Sequence, residues 1–377
     1  MNEGTRSLFL AIAMAALAGA QPAHAEAGSQ GLTVPVVLPA FDPAAAPCHA
    51  PPDLKKELVF AQDNERDFMK GTKFGLEQAA KDHGLVFRVV LADNDAALMA
   101  EQMQALAADK TGAIVVAPIN AAMLKPKLQQ VLWQGSYVGA VVPPPATTIL
   151  NAPQYLTGRV LGDAAAAYIK THLGGKADVV LLTHDSLQFL APRFRAIREA
   201  LEALPEVNII ADISPPTVDR AGGYKTMGTI LLANPNVDVV LGADTVVLGA
   251  LAAIRDAKKD RPDQFFGGID GEAEAVAEIQ KGGPYKITVS LASPVFGYAL
   301  GAQGADWLEG KSVPQAMDIL PHALTTENLA SYQADLADPG AVYADPARRA
   351  QYLKLYGNIC YDTREQYLDF PWSSEAR

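Results

Sequence analysis

Residues 58–116 decide the fold class, and they read LVFAQDNERDFMKGTKFGLEQAAKDHGLVFRVVLADNDAALMAEQMQALAADKTGAIVV. Three short apolar runs, at 58–61, 87–91 and 113–116, have the length and composition of strands that helices cover on both faces. The segments between them, 68–82 and 96–108, carry apolar residues at helical spacing. The stretch therefore predicts consecutive βαβ units in a parallel sheet.

The same alternation continues along the chain and divides it in two. The pattern separates near Asn151, and the number of units exceeds one comfortable sheet. We therefore predict an α/β fold with two doubly wound parallel-sheet lobes joined by a hinge. Ligands bind beyond the carboxyl ends of the strands in such sheets, so we expect a cleft lined from both lobes. The further apolar runs lie at 137–142, 178–182, 207–210, 237–241, 265–269 and 286–290.

The first 25 residues have the pattern of an export signal. Arg6 precedes an apolar run at 8–20, and the small-x-small sequence Ala23-His24-Ala25 follows it. We therefore predict a signal peptide that is cleaved after Ala25 and a mature protein in the periplasm. A membrane anchor or a disordered tail is the alternative, although the run is shorter than the ~20 apolar residues that a span needs.

Composition and charge restrict the classes of partner. The chain has 377 residues, of which 49% are hydrophobic and 19% charged, as is typical of a well-cored globular protein. Its formal net charge of −11 argues against nucleic acid or an anionic membrane surface as the partner. No run after the predicted signal is long and apolar enough for a membrane span, so we expect no membrane insertion.

The two cysteines, Cys48 and Cys360, lie near opposite ends of the predicted mature chain. In an oxidising compartment an even pair suggests a disulfide, with free buried thiols as the alternative. Two distant cysteines are too few ligands for a metal site. A bond between them would tie the C-terminal tail to the start of the mature chain.

Six segments carry a family resemblance: LVFAQ at 58–62, GLEQAA at 75–80, AIVVAP at 113–118, VDR at 218–220, DTVVLGAL at 244–251 and GIDG at 268–271. In this order and spacing, the chain resembles the ribose/galactose-type periplasmic binding proteins of ABC transporters. The resemblance implies the type I periplasmic binding protein fold, in which two hinged lobes with three crossing segments close over a ligand. The implied units are an N-terminal lobe of 53–151 with 291–321, a C-terminal lobe of 152–290, and an extension, 322–377, that packs on the lobes.

The resemblance also implies a set of cleft residues. Phe68 stands where relatives stack an aromatic ring on a sugar, with the helix core as the alternative place. Arg193 matches a ligand-contacting arginine, whereas a solvated surface position is its alternative. Asp270 matches an aspartate that accepts hydroxyl hydrogen bonds, and both it and Asp244 have helix capping as the alternative. The predicted ligand-binding residues are Asp63, Asn64, Arg66, Phe68, Pro143, Arg193, Val218, Asp244, Asp270 and Leu291.

Several positions depart from the family pattern. Ala243 replaces the usual ligand-binding Asn, and Pro143 begins a proline run where relatives often have Asp-Arg. Val218 replaces an aromatic residue, and Leu291 replaces a polar hinge residue. Several side chains that would bond to sugar hydroxyls are therefore missing. Together with the pair of arginines, Arg66 and Arg193, this points to an acidic or otherwise modified sugar.

The function that follows is binding without catalysis. We expect the substrate-binding component of an ABC transporter, a monomer without a cofactor. It would capture a sugar, sugar acid or related polar solute by hinge closure and present it to the transporter permease. A receptor subunit that presents its closed state to a sensor kinase or chemoreceptor is the alternative.

An exported enzyme is the second alternative. His184-Asp185 follows a predicted strand and has the residue types of an acid–base pair. However, the chain has no Gly-x-Ser-x-Gly elbow, no phosphate-binding Gly-x-x-x-x-Gly-Lys and no His-Glu-x-x-His, and its histidines lack metal-ligand spacing.

Overall fold

The structure is a computed structural model and describes residues 31–141, 145–184 and 187–375. The predicted signal peptide, Pro143 and Asp185 lie outside these residues.

Strands and helices alternate along most of the chain, as the sequence predicts. The strands are β1 (Lys55–Gln62), β2 (Val86–Leu91), β3 (Thr111–Val116), β4 (Tyr137–Val141), β5 (Thr148–Asn151), β6 (Lys176–Leu182), β7 (Glu206–Ile213), β8 (Val239–Leu241), β9 (Phe265–Asp270), β10 (Tyr285–Ser290), β11 (Ala316–Ile319), β12 (His322–Leu324) and β13 (Leu353–Tyr356). The helices are α1 (Asp67–Asp82), α2 (Ala96–Ala108), α3 (Ala121–Trp133), α4 (Gln154–His172), α5 (Ala191–Glu202), α6 (Arg220–Ala233), α7 (Asp244–Asp256), α8 (Ala273–Gln280), α9 (Ser293–Leu308), α10 (Leu329–Ala337), α11 (Pro339–Ala344) and α12 (Pro346–Tyr352).

The N-terminal lobe is built on a sheet with the strand order β13-β11-β5-β4-β3-β1-β2. The strands from β11 to β2 pair in parallel, and β13 runs antiparallel to β11. The central strand β3 is buried along its whole length, because helices cover the sheet on both faces. Its continuous apolar sequence is therefore explained by two-sided burial.

The C-terminal lobe is built on a second sheet, with the order β12-β10-β9-β8-β6-β7. The strands from β10 to β7 are parallel, and β12 runs antiparallel to β10. Two apolar clusters, one on each face of this sheet, form the core of the lobe. The predicted class of two doubly wound lobes is confirmed.

Each sheet differs from a purely parallel one at its edge. The antiparallel strands β12 and β13 both come from the segment after residue 321, which was expected only to pack on the lobes. Such short edge strands carry little periodicity, and their pairing depends on contacts with distant parts of the chain. The C-terminal segment therefore contributes a strand to each lobe.

The chain passes between the lobes at the ends of β5, β10 and β11. After β12 it returns once more, because Leu329 and Tyr332 of α10 belong to the core of the N-terminal lobe. Helix α9 also belongs to this lobe and packs closely on α1. A Cβ added at Gly75 would lie 2.0 Å from the Pro294 carbonyl oxygen, so only glycine permits this helix contact.

The two ends of the described chain are fastened together. Cys48 and Cys360 form a disulfide, as predicted, with their Cα atoms 6.2 Å apart. Nearby, the backbone N–H of Phe41 donates to the Leu355 carbonyl (3.0 Å), and that of Leu32 donates to the Tyr367 carbonyl (2.7 Å). None of the helices described here is long and apolar enough to span a membrane.

Candidate functional site

Asp270 is the last residue of β9, in the C-terminal lobe. Its φ of 118° is a strained value for a residue with a side chain. Burial raises the pKa of its carboxyl group, and the guanidinium groups of Arg193 and Arg66 oppose that rise. Backbone strain of this kind is characteristic of functional positions. The charges of one arginine from each lobe thus act on the Asp270 carboxylate.

Arg193 lies in the first turn of α5 and is only 7% exposed. Its Nε donates to Gln154 Oε1 (2.9 Å), at the first residue of α4. Burial lowers the pKa of this guanidinium, whereas the charge of Asp270 raises it. A buried charge needs such partners to offset its desolvation cost. The burial of Arg193 distinguishes it from an ordinary surface arginine.

Asp63, Asn64 and Arg66 form a hydrogen-bonded cluster after β1. Arg66 donates from Nε to Asn64 Oδ1 (2.9 Å) and from Nη2 to Asp63 Oδ2 (3.2 Å). Asn64 in turn donates from Nδ2 to Asp63 Oδ2 (2.9 Å). The Arg66 side chain remains 68% exposed, so its guanidinium is accessible from the cleft.

Phe68, in the first turn of α1, is partly buried and packs on Phe296 of α9, with ring centroids 5.4 Å apart. The ring therefore contacts the core of the N-terminal lobe while part of it stays accessible. This position is compatible both with stacking on a ligand and with a place in the helix core, the two alternatives for Phe68.

Two of the predicted residues, Leu291 and Val218, pack within the lobes, and a third cannot be placed. Leu291 is 5% exposed and belongs to the core of the N-terminal lobe, so it does not present a side chain to the cleft. Val218 packs against an apolar cluster of the C-terminal lobe. Pro143 lies outside the described residues.

Asp244 is completely buried beneath the cleft. Its carboxyl group accepts from Tyr285 Oη (2.7 Å), Thr288 Oγ1 (2.7 Å) and the Glu272 backbone N–H (2.8 Å). Burial, with the nearby charge of Asp270, raises its pKa to about 8. The prediction of ligand contact by Asp244 is therefore not matched by its position. All three of these donors belong to the protein itself. One of them, the Glu272 N–H, lies in the loop after β9, so Asp244 stabilises this loop from inside the lobe.

Glu272 is a cleft residue that the sequence reasoning missed. Burial and the charges of Asp270 and Asp67 raise its pKa to about 7, and Arg66 opposes the rise. Because Asp67 and Arg66 belong to the N-terminal lobe, this carboxyl group interacts across the cleft. Its position directly after the GIDG segment, in the loop beyond β9, was the available signal.

A cavity of about 1290 Å³ lies between the lobes beside this polar group. Asp63 and Arg66 line one end of it, and the start of α4 lines another part. The C-terminal tail, Pro371–Glu375, forms one wall, which the sequence did not predict. The lining residues are Asp63, Arg66, Met69, Ala117, Pro118, Ile119, Val141, Asn151, Ala152, Gln154, Tyr155, Leu156, Arg159, Leu187, Phe189, Pro192, Arg195, Pro371, Trp372, Ser373, Ser374 and Glu375.

The tail is bonded to both lobes. The Glu375 carboxylate accepts from the backbone N–H groups of Tyr155 (3.0 Å) and Leu156 (2.8 Å), in the first turn of α4. Trp372 belongs to the core of the N-terminal lobe, and its Nε1 donates to the Val36 carbonyl (3.3 Å). Glu375 thus caps a helix of one lobe from a tail that is anchored in the other.

The chemistry of the site is suited to reversible binding. Carboxylates and guanidinium groups accept from and donate to hydroxyls or pair with a ligand's charged group. Within the described ranges, no group of three or more His, Cys, Asp or Glu side chains is arranged to hold a metal ion.

Residues 58–312 match the family model described as periplasmic binding protein domain. Among curated proteins, the chain is similar to the D-apiose import binding protein of Actinobacillus succinogenes, with 25% identity over 233 residues, covering 61% of this chain and 74% of the relative. It is also similar to a xylitol-binding protein of Mycolicibacterium smegmatis, with 26% identity over 286 residues, covering 74% of this chain and 79% of the relative.

Solved structures give the same fold. A periplasmic ribose ABC transporter protein from Conexibacter woesei superimposes with a TM-score of 0.64 at 19% identity, covering 74% of this chain and 95% of that one. The Caulobacter myo-inositol binding protein superimposes with a TM-score of 0.60 at 24% identity, covering 74% of this chain and 97% of that one. At these identities the structures establish the fold alone.

Proposed function

The chain belongs to the periplasmic binding protein domain family, and from that premise we propose that it captures a sugar-like solute between its lobes for an ABC importer. The single observation that carries this proposal is the convergence of charged groups from both lobes on one cleft. Arg66 comes from the N-terminal lobe, whereas Arg193 and Asp270 come from the C-terminal lobe.

The mechanism is closure of the lobes around the ligand. A ligand that bonds to Arg66 on one side and to Arg193 or Asp270 on the other binds the closed form better than the open form. This difference in affinity shifts the population toward closure. The negative charge of Asp67, from the N-terminal lobe, acts on Glu272 of the C-terminal lobe and disfavours closure.

The ligand class is a sugar, polyol or sugar acid. Relatives are named for D-apiose import and for xylitol binding, and both compounds carry several hydroxyl groups. The carboxylate and guanidinium groups of the cleft are suited to the same chemistry. The name of the D-apiose relative also favours import over a sensory role, and binding over catalysis.

The site residues stay a proposal for this chain. Asp63, Asn64, Arg66, Phe68, Arg193 and Asp270 have positions that favour ligand contact, and Glu272 joins them. Their polar groups, together with the partly exposed ring of Phe68, would supply both hydrogen bonds and an apolar face for a sugar.

Export and oligomeric state are part of the same proposal. The membership of a periplasmic family agrees with a signal peptide that ends at Ala25. We expect N-terminal sequencing of the protein from the periplasm to begin at Glu26, and light scattering to give the mass of a monomer. The closed monomer would then bind to the permease of the transporter.

The test is a binding panel on residues 26–377. Melting temperature is measured against neutral sugars, polyols, sugar acids and, as a class without several hydroxyls, amino acids. A ligand at about a hundred times its Kd adds ~2.7 kcal/mol to the free energy of unfolding. Stabilisation by one hydroxyl-rich class, with a smaller radius of gyration in X-ray scattering, supports the proposal. Stabilisation by amino acids alone, or by no compound at all, would contradict it.

A further inference from the structure

The cavity between the lobes has an outer part whose chemistry differs from the polar group at Arg66. We call it the outer compartment and define it by Ile119, Leu156, Leu187, Phe189 and Trp372, all of which line the cavity. Ile119 and Trp372 approach it from the N-terminal lobe and the tail. The other three approach it from the start of α4 and the segment before α5.

Large apolar side chains are left accessible in this compartment. Phe189 is 62% exposed, Leu156 is 41% exposed and Leu187 is 38% exposed. Scattered apolar residues on a surface are ordinary, but three that converge on one cavity mark a binding surface. Burying them against a ligand would contribute free energy in proportion to the apolar area that is removed from water.

The charged groups around the compartment have partners within the protein. Arg159 pairs with Asp163 (Nε to Oδ2, 2.9 Å), and Arg195 lies over the Tyr155 ring at 5.4 Å. Glu375 is bonded to the backbone of α4. The accessible side chains of Phe189, Leu156 and Leu187 therefore make apolar contact the main interaction that the outer compartment offers.

The wall that the tail provides is fixed in place. Asp369, only 2% exposed, pairs with Lys125 (Nζ to Oδ2, 2.9 Å) just before the tail begins. Trp372 is 5% exposed, with its ring 4.9 Å from that of Tyr356. A recess that lies between two lobes and a tail bonded to both suits a small molecule better than a protein surface.

We infer that the ligand is a hydroxyl-rich compound with an apolar substituent, such as an aryl or alkyl group, which occupies the outer compartment. This inference rests on the proposed function, because the polar end of the same ligand binds at Arg66, which lines the same cavity. The cavity of about 1290 Å³ is larger than the ~300–1,000 Å³ typical of small-molecule sites, so it has room for both parts. Closure reduces this volume but presses the same apolar side chains onto the substituent.

The experiment compares matched pairs of glycosides by calorimetry. Methyl and phenyl glycosides of the same pentoses, hexoses and uronic acids are titrated into residues 26–377. We expect the phenyl compound of the recognised sugar to bind at least ~10-fold more tightly than its methyl partner. Phe189→Ala should remove most of this ratio, because it weakens binding of the phenyl compound more than that of the methyl compound. Leu232→Ala is the control, because Leu232 is 87% exposed on α6 and does not line the cavity.

The outcomes separate this inference from the proposed function. Equal affinities for the two members of each pair, or a ratio that Phe189→Ala does not change, would overturn the inference and leave sugar binding intact. If no glycoside or free sugar binds, the proposed function falls. In that case the apolar probe 1-anilinonaphthalene-8-sulfonate tests the outer compartment separately. If the probe fluoresces with the unmodified protein but not with Phe189→Ala, the compartment still binds apolar groups. If it does not fluoresce with the unmodified protein, the inference is overturned as well.

Discussion

At the scale of single residues, the cleft depends on charges held in unusual positions. Arg193 is buried and bonded to Gln154, and Asp270 has a strained backbone beside it. Neither arrangement improves packing by itself, since burying a charge and straining a backbone both cost free energy. The two residues are therefore best explained by ligand binding.

Arg193→Ala should weaken ligand binding strongly. Loss of charged hydrogen bonds to a hydroxyl-rich ligand costs about 1.5–3 kcal/mol, or about 10- to 150-fold in Kd. Calorimetry with the stabilising sugar from the binding panel measures the change. The matched control is Arg198→Ala, on the same helix, where the guanidinium pairs with Asp212 at the surface (2.5 Å). Equal affinities in the unmodified protein and Arg193→Ala would remove Arg193 from the site.

Glu272 should make the ligand-free protein less stable as the pH rises. Its pKa is raised to about 7 from an ordinary value near 4.5, so the folded state holds its proton more tightly than the unfolded chain. The free energy of unfolding contributed by this group therefore falls between about pH 4.5 and pH 7. We expect Glu272→Gln to be more stable than the unmodified protein at pH 8 and to have a flatter stability–pH curve. Denaturant unfolding from pH 5 to pH 8 tests this, and parallel curves for the two proteins would refute it.

At the scale of helices and strands, the C-terminal tail completes α4. Pro153, at the N-cap of this helix, provides no side-chain cap, so its first N–H groups need another acceptor. Glu375 supplies one from more than two hundred residues away in the chain. The N-terminus of α4, in the C-terminal lobe, is thus capped by a residue of the tail that is anchored to the N-terminal lobe.

Glu375→Ala should loosen the ligand-free protein as well as destabilise it. Loss of a helix cap costs about 0.5–2 kcal/mol, and here it also removes a contact between the lobes. We expect a lower melting temperature together with a larger radius of gyration in X-ray scattering. Glu101→Ala, at an exposed position on α2, is the control. A variant that melts lower without any expansion would show that the tail does not hold the lobes together.

At the scale of the whole molecule, a disulfide and edge-strand pairing join the two ends of the described chain at the N-terminal lobe. The disulfide joins residues that are 312 positions apart, and β13 lies at the edge of the same sheet. Closing a long loop lowers the entropy of the unfolded chain, which stabilises the folded form. The disulfide lies outside the cavity lining, so it acts on stability rather than on ligand contact.

Replacing Cys48 and Cys360 by Ser should lower the free energy of unfolding by about 2–5 kcal/mol, as is usual for a native disulfide. Urea unfolding of the double variant, and of the unmodified protein with and without reductant, measures this. Sugar affinity should be unchanged, because neither cysteine lines the cavity. Unchanged stability after reduction, with the free thiols verified by mass, would contradict the prediction.

The sequence by itself determined the class of fold and much of its order. The apolar runs at 58–61 and 113–116 lie in β1 and β3, and the predicted helix at 96–108 coincides with α2. Such elements can be predicted from local sequence, because the spacing of apolar residues within a short segment shows which face of the helix or strand is buried. The pairing of Cys48 with Cys360 was predictable for a different reason, since the chain offers each cysteine no other partner.

Only the tertiary structure decided what surrounds each site residue. Asp244 comes shortly after β8 and Asp270 ends β9, yet the Asp244 carboxyl group is hydrogen-bonded inside the lobe, whereas the charges of two arginines act on that of Asp270. The role of Glu272 and the docking of Glu375 on α4 were likewise absent from any local pattern. Burial, electrostatic coupling and helix capping by a distant residue arise from contacts across the chain. They depend on how two lobes and a tail meet, which periodicity does not encode.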